Sequence, residues 1–400
     1  MAWHTPISRL FTKEPEVTKI KRRRYAGAAL SRLTDGWVTG NTSADAEIKT
    51  SLKKLRDRSR QLCRDNPYAK QAKRTTQINV IGQGIKLQCL VPTMRKGKKD
   101  KKLSMMIEQA WKEWCKRDHC DVSGQKSFFM LENMMVGALV ESGEVFFRII
   151  RRKFGKSKVG LALEIIESDL VDDEYTGKVL RKGNEWRMGI EVDKFGRPQR
   201  YAFFNRHPGD YWFADTYTDQ KHTIVNASDI IHLFLPERPS QNRGVPFFAS
   251  IMDDMHQLSG YESAAVIRAR AGASLMGFIS STEGELEADD VENEQRLTDF
   301  EAGVFKYLNP GEEITVPNIS SPDSQYESFV RAKIRRFASG LGCSYETISR
   351  DFSETNYSSS RLSLLEDREH WKMLQTYFVE NFHQRVFDEF LDASVLSGVL

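Results

Sequence analysis

Residues 230–272 read IIHLFLPERPSQNRGVPFFASIMDDMHQLSGYESAAVIRARAG, and this stretch divides the chain into a strand-rich part before it and a helical part after it. Its opening, Ile230 to Leu235, is a short run of β-branched and aromatic residues stopped by Pro236 and Pro239, the pattern of a buried strand. Gln241-Asn242-Arg243-Gly244 supplies turn chemistry, and Pro246 sits where a first helical residue tolerates a missing N–H. From Phe247 to Arg270 the apolar residues Phe247, Phe248, Ile251, Met255, Leu258, Ala265 and Val266 recur at steps of three and four. That spacing predicts one helix, roughly 36 Å long at 1.5 Å per residue.

Upstream, Thr42 or Ser43 caps a predicted helix through Ile48, Leu52, Leu55 and Leu62 that ends at Asn66-Pro67, because the residue before proline avoids the helical region. A second helix, Tyr68 to Asn79, is predicted to break at Gly82-Gln83-Gly84. This GxG ends a helix and lacks a third glycine, so it is read as a turn and not as a dinucleotide-binding loop. Leu103–Arg117 and Phe128–Glu141 are expected to be core helices. Five strand-like runs follow Gly143-Glu144, among them VFFRIIRRK and RPQRYAFFN, and DKFGRP at 193–198 is expected to turn a hairpin.

Beyond residue 272 the pattern predicts a strand at Ser274–Ser280 and an acidic run from Glu283 to Glu301 with nine carboxylates in nineteen residues. A strand pair is expected about Asn309-Pro310-Gly311, between Gly303–Leu308 and Glu313–Val316. A helix resumes at Gln325, carrying Phe329, Ile334, Phe337 and Ala338 on one side and Arg331, Lys333, Arg335 and Arg336 elsewhere, and stops by Gly342. Ser353–Ser360 reads as a polar loop, and a strongly aromatic helix runs from Arg361 through Trp371, Phe378 and Phe390.

The run HLFLPERPSQNRGVPFFASIMDDMHQLSGYESAAVIRARAGASLMGFI resembles the matching segment of the lambda-type portal proteins of tailed bacteriophages. Three further stretches agree in the same order: SRQLCRDNPYAKQAKRTTQINVIGQGIKLQ at 59–88, GIEVDKFGRPQRYAF at 189–203 and SYETISRDFSETNYSSSRLSLLEDREHW at 344–371. The resemblance implies an α+β portal fold assembled as a ring, usually of twelve copies, at one capsid vertex, through which double-stranded DNA passes without sequence specificity. It divides the chain into an N-terminal arm (1–45), a β-rich wing (46–245), a first stem helix (246–272), a clip (273–324), a second stem helix (325–342), and a channel loop followed by a long wing helix (343–400). Implied partners are other copies of the chain, the terminase large subunit, head–tail connector or adaptor proteins, the major capsid protein and the scaffold. Members generally continue into a crown, so the expectation is either a short or absent crown or a sequence cut at Leu400.

On this reading Tyr357, Ser358, Ser359, Ser360 and Arg361 line the channel together with Lys333 and Arg336, while Glu283, Glu285, Glu287, Asp289 and Asp290 form the partner-docking face of the clip. Small hydroxyl residues approach a duplex closely without a strong grip, and carboxylates steer basic partners. Arg361, near a helix start where the dipole disfavours a cation, is expected to find an anion such as Glu354 or phosphate.

Charge is unevenly spread. Residues 1–158 carry 35 Lys and Arg against 15 Asp and Glu, a net of +20, and residues 159–400 carry 24 against 40, a net of −16. The basic part suits nucleic acid or an acidic partner, and the acidic part suits passage of DNA without retention. The second basic cluster, Arg95–Lys102, is read as a solvated loop. Four hundred residues exceed one compact core, and the 40% hydrophobic, 28% charged composition is that of a globular chain.

No run of eighteen apolar residues occurs, so no membrane span is expected, and MAWHTPISRLFTKEPEV lacks an apolar signal core, which argues for synthesis in the host cytoplasm. Cys63, Cys89, Cys115, Cys120 and Cys343 form no even framework and are expected as thiols. Cys115-x4-Cys120 lacks a second ligand pair, so no metal is expected there. Asp169, Asp172, Asp173 and Glu174 are read as a solvated turn in preference to a Mg²⁺ site. The rival reading, a nuclease or ATPase of the packaging machinery, is disfavoured. The sequence has no G-x-x-x-x-G-K-[ST], H-E-x-x-H or G-x-S-x-G, and no catalytic residue or cofactor is assigned.

Overall fold

The computed structural model describes residues 39–92, 99–210, 222–273, 278–281, 312–315, 325–353 and 355–400, together with Arg32 and Gly36. The chain divides into Met1–Thr42 and Ser43–Leu400, and the elements below belong to the second unit. Most of the arm lies outside the described residues.

Helix α1 (Ala44–Asp65) begins where the Ser43 hydroxyl accepts from the Ala46 N–H at 3.2 Å, and it buries Ile48, Leu52, Arg56, Ser59 and Leu62 at steps of three and four. Asn66 then serves two helices. Its N–H donates to Leu62 O at 2.8 Å, and its side-chain oxygen accepts from Tyr68 N and Ala69 N at 3.0 Å to start α2 (Pro67–Ile81). Gly82 ends α2 at φ 56°, as the sequence predicts. Helix α3 (Lys101–Trp114) starts on an Asp100 cap and α4 (Phe128–Ser142) on a Ser127 cap. At the end of α4, Gly143 has φ 83°, and any Cβ there would collide with the backbone of Val245. Only glycine lets the chain turn from helix into strand at that close approach.

The strands are β1 (Glu144–Ile150), β2 (Ala162–Ile166), β3 (Glu185–Arg187), β4 (Ile190–Val192), β5 (Pro198–Phe204), β6 (His222–Asn226) and β7 (Ile230–Phe234). They form an antiparallel sheet ordered β2-β1-β7 and an antiparallel meander β3-β4-β5-β6. The β1 sequence is apolar nearly throughout because both of its faces are covered. Val145, Phe147 and Ile149 join a core with α3, α4 and the C-terminal helices, whereas Phe146 faces Ile190, Tyr201, Phe203 and Val225 of the meander. The expected hairpin at 193–198 joins β4 to β5, with Asp193 accepting from Phe195 N and Arg197 N.

Two expectations about these elements need correction. Another of the five strand-like runs, EWRMGIEVD at 185–193, is two strands, because Met188 (φ 47°) and Gly189 (φ 81°) turn the chain between β3 and β4. The long helix α5 spans Met252–Ala273, starting later than Phe247. Residues 247–251 form turns, with Phe248 and Ile251 buried, so the apolar period continues through a segment that is not yet helix. The strand β9 (Glu312–Thr315) pairs with β8 (Phe278–Ser281), running Phe278 opposite Thr315 and Ser281 opposite Glu312. The proposed partner run at 303–308 lies outside the described residues.

After β9 come α6 (Tyr326–Leu341), α7 (Tyr345–Ser349) and α8 (Tyr357–Phe378), then a π-helical turn (Val379–His383) that leads directly into α9 (Gln384–Leu396). The aromatic C-terminal helix is therefore continuous but carries one widened turn. In it the His383 ring lies 2.7 Å from Glu132 of α4 through Nε2 and 3.0 Å from Phe378 O through Nδ1. Phe382, Val386 and Phe390 reach Trp111, Trp114 and Phe128 in the main core.

The acidic bunch at 169–174 is not a solvated turn. Asp169 pairs with Arg56 and Arg60, Asp172 is buried beside His222 and caps Glu174 N, and Glu174 faces Lys49. None of the five cysteines is in a disulfide, and burial pushes the thiols of Cys63, Cys120 and Cys343 up to about 12. No helix among the described residues is long and apolar enough to cross a membrane.

Candidate channel-forming helices and their buried joint

Helices α5 and α6 flank the β8–β9 ribbon in sequence and pack on one another. Met255 and Leu258 of α5 meet Ile334, Phe337 and Ala338 of α6 in a second core, which also takes in Leu62, Ala69 and Ala72 of α1 and α2. Further along, Tyr261 stacks on Tyr326 with 5.9 Å between centroids and touches Phe329 at 4.9 Å. Gly340 allows the end of α6 to close on Ile251, whose side chain a Cβ would strike.

Two of the expected channel cations fasten this pair. Lys333 Nζ lies 2.9 Å from Asp254 Oδ1 and Arg336 Nε 2.9 Å from Oδ2 of the same carboxylate. The hydrogen bond from Lys333, with the charges of Arg336 and Lys333, holds the Asp254 carboxyl below its usual range. The Arg336 side chain remains 66% exposed and can still meet a phosphate, whereas Lys333 is 26% exposed and largely committed to Asp254.

After α6 the chain is tied down by a residue twenty positions away. Asp367 of α8, itself buried, accepts from Ser344 N (2.8 Å), Ser344 Oγ (2.8 Å) and Thr347 Oγ1 (2.6 Å), so it anchors the start of the short helix α7. Arg350 ends α7 in the left-handed region at φ 60°, and Asp351 accepts from Ser353 N and Oγ and from Tyr345 OH. Helix α8 then starts on a capping box. Ser359 N donates to Asn356 Oδ1 at 2.9 Å, and Asn356 N donates to Ser359 Oγ at 3.2 Å.

The polar loop is thus shorter than expected. Tyr357, Ser358, Ser359, Ser360 and Arg361 are brought together, but as the first turn of α8, because serines followed by a long helical period satisfy the helix start instead of extending the loop. Tyr357 is 81% exposed and is not packed against the described residues behind this turn. Glu354, the suggested partner of Arg361, lies outside the described residues, as do Glu283, Glu285, Glu287, Asp289 and Asp290.

Sequence reasoning missed the joint that carries these helices on the sheets. Glu144, the first residue of β1, is fully buried and receives Arg243 through Nε (3.0 and 2.9 Å) and Nη2 (2.5 Å), Arg56 Nη1 at 3.3 Å and Gly244 N at 2.9 Å. The His232 ring nitrogen Nε2 lies 3.1 Å from its other oxygen. Arg243 also donates to Met188 O at 2.7 Å. Burial alone raises the carboxyl of Glu144, but Arg243 and His232 outweigh it and hold the carboxylate far below its ordinary range. Burial lowers His232 despite its anionic neighbour, so its imidazole is neutral at pH 7. A turn motif, Asn242-Arg243-Gly244, and the polar residue opening an apolar strand were the two available signals. Nearby, Asp45 at the start of α1 accepts from Asn242 N and Nδ2, so the loop before α5 is fastened to α1 as well.

The sequence profile described as phage portal protein, lambda family, matches residues 30–375. The chain belongs to this family. A probable portal protein of Halomonas phage phiHAP-1 is 30% identical over 405 residues, covering 99% of this chain and 76% of that one. Portal protein B of Escherichia phage lambda is 23% identical over 414 residues, covering 94% of this family member and 76% of its own length. The portal protein of Escherichia phage N15 is 24% identical over 380 residues, covering 86% and 71%. Among solved structures, a chain from the neck of an empty gene transfer agent particle, computed with C6 symmetry, aligns over 80% of this chain and 78% of its own with TM-score 0.44 and 12% identity.

Proposed function

We propose that this portal-family chain assembles as a closed ring, usually of twelve copies, at one capsid vertex, and that double-stranded DNA is packaged and ejected through its centre. The observation that carries the reading is family membership across residues 30–375, which takes in the paired helices α5 and α6 and the inserted segment between them. On this reading α5 and α6 are the stem and the acidic segment 273–324 is the clip. The terminase large subunit docks at the clip during packaging, and connector proteins dock there afterwards. The major capsid protein and the scaffold meet the wing. The first turn of α8 faces the DNA, with Arg336 as a second, weaker contact.

The chain acts as a conduit and docking platform and not as a packaging enzyme. A conduit must let duplex slide. Sliding favours short hydroxyl side chains and an acidic surround over close phosphate contacts, whose number sets affinity and salt dependence. Negative-stain images of the purified chain, combined with light scattering, test the ring directly: annular particles with a central hole are expected, and a monomer at high concentration in moderate salt would count against it.

A further inference from the structure

Helix α8 has two distinct faces. Asp367, Trp371, Leu374 and Phe378, at steps of three and four, are buried against the rest of the chain, with Trp371 lining one small cavity together with Ala72, Thr75 and Thr76 of α2 and Gln375 Nε2 donating to Asn79 O and Val80 O. On the opposite side Leu362 is 61% exposed, Leu365 48% and Met373 57%, and Glu366, Glu369 and Glu380 continue the same stripe. Helix α2 is built the same way. Ala72, Thr75 and Val80 face inward, while Lys70, Arg74 and Ile78 form an exposed stripe at steps of four, with Ile78 52% exposed. At about 100° per residue each stripe lies on the far side of its helix from the α2–α8 contact. The two helices therefore form one layer with two outward surfaces on opposite sides, one apolar and acidic, the other apolar and basic. Among the described residues, Glu366, Glu380, Lys70 and Arg74 form no ion pair with one another or with any other side chain.

We propose that the outward stripe of α8 in one copy docks on the Lys70–Arg74–Ile78 stripe of α2 in the next. The inference rests on the ring reading and adds to it the surface on which neighbours meet. Complementary charge selects a second copy as the occupant: Glu366 and Glu380 meet Lys70 and Arg74, while Leu362, Leu365 and Met373 cover Ile78 and the aliphatic stems of the two cations. Because the two stripes are unlike and face opposite ways, the contact is head-to-tail, and each copy leaves one of each free to continue the series until it closes. The contact also accounts for Leu362, Leu365 and Met373, apolar side chains left uncovered on a helix whose other face is packed from Asp367 onward.

Two sets of variants test it. Glu366→Lys with Glu380→Lys, and separately Lys70→Glu with Arg74→Glu, alter exposed residues and leave each monomer folded by circular dichroism. Each pair is expected to abolish the ring in light scattering, and the quadruple exchange is expected to restore it. In addition, Ile78→Cys with Leu362→Cys under mild oxidation is expected to give a ladder of covalent multimers that neither single variant gives. A wild-type chain that is only monomeric overturns the ring itself. A wild-type ring whose two charge-reversal pairs both still assemble, or whose double-cysteine variant gives no ladder, overturns this contact alone.

Discussion

Arg243 holds both carboxylate oxygens of Glu144, and neither side chain reaches solvent. The pair joins the first strand of the central sheet to the loop that leads into α5, so this helix is seated on the sheet through a buried charge. Removing one partner strands the other. Glu144→Ala leaves Arg243 cationic without its anion and Arg56 with Asp169 alone, and is expected to cost about 3–5 kcal/mol. Urea unfolding of the variant checks this, and a loss below about 1 kcal/mol would show that water or another acid takes over the role.

Acid should loosen the same joint in two steps. The folded-state pKa of His232 is lowered, so its contribution is fully present above its unfolded value of about 6.5 and is lost as pH falls from there toward the folded value. Glu144 is also lowered, so its contribution is present above the unfolded carboxylate value of about 4.3 and is lost only as pH falls further. The midpoint of thermal unfolding is expected to drop between pH 7 and pH 5.5, and the drop should be shallower in His232→Phe, which keeps the ring stacking on Phe146 at 4.1 Å. Identical slopes in the two proteins would assign the acid sensitivity elsewhere.

How much of this could be read in advance depended on how local the cause was. The caps at Ser43 and Asn66, the glycine stops at Gly82 and Gly342, and the alternation of Val145, Phe146 and Phe147 are set within a few residues, and the sequence displays them. Helix α7 was invisible because five residues have no period and the residue that anchors its start, Asp367, comes from another helix. The π turn at 379–383 is fixed by His383 meeting Glu132, a contact 251 positions apart. Asp169 and Asp172 looked solvated for the same reason, since Arg56, Arg60 and His222 arrive from distant elements. Of the candidate channel residues, the serines are adjacent in sequence, and their helical backbone was decided by the Asn356–Ser359 capping box.

Asp367 offers a direct test of the link between α7 and α8. Asp367→Ala removes the acceptor for Ser344 N, Ser344 Oγ and Thr347 Oγ1 and is expected to cost about 1–3 kcal/mol. The loss should be local. Amide exchange over residues 344–349 should accelerate well before the rest of the chain, and uniform acceleration would mean that Asp367 supports the whole fold instead.

The acidic segment makes a separable prediction. Neutralising Glu283, Glu285, Glu287, Asp289 and Asp290 removes five of the nine carboxylates between 283 and 301 and should leave ring assembly intact. Association with the packaging motor should slow, most clearly at low salt, because steering by exposed charge is screened over about 10 Å at 0.1 M. Equal binding rates in variant and parent across a salt series would remove the docking role from this segment.

On the proposed reading, the first turn of α8 bears most directly on DNA passage. Ser359 closes the capping box and is left alone, because replacing it would cost about 1 kcal/mol and confuse folding with function. Ser358 is exposed and Ser360 half-buried, and neither side chain takes part in that cap. Ser358→Lys with Ser360→Lys places two cations at a helix start, where the dipole disfavours them slightly, and in a ring each is repeated in every copy. A collar of lysines around the duplex adds phosphate contacts with every subunit, and friction with them, so rings should still form while packaging slows or stalls. Packaged DNA length and particle yield are the readouts. Normal values for both, from a variant that assembles normally, would show that this turn does not face the DNA.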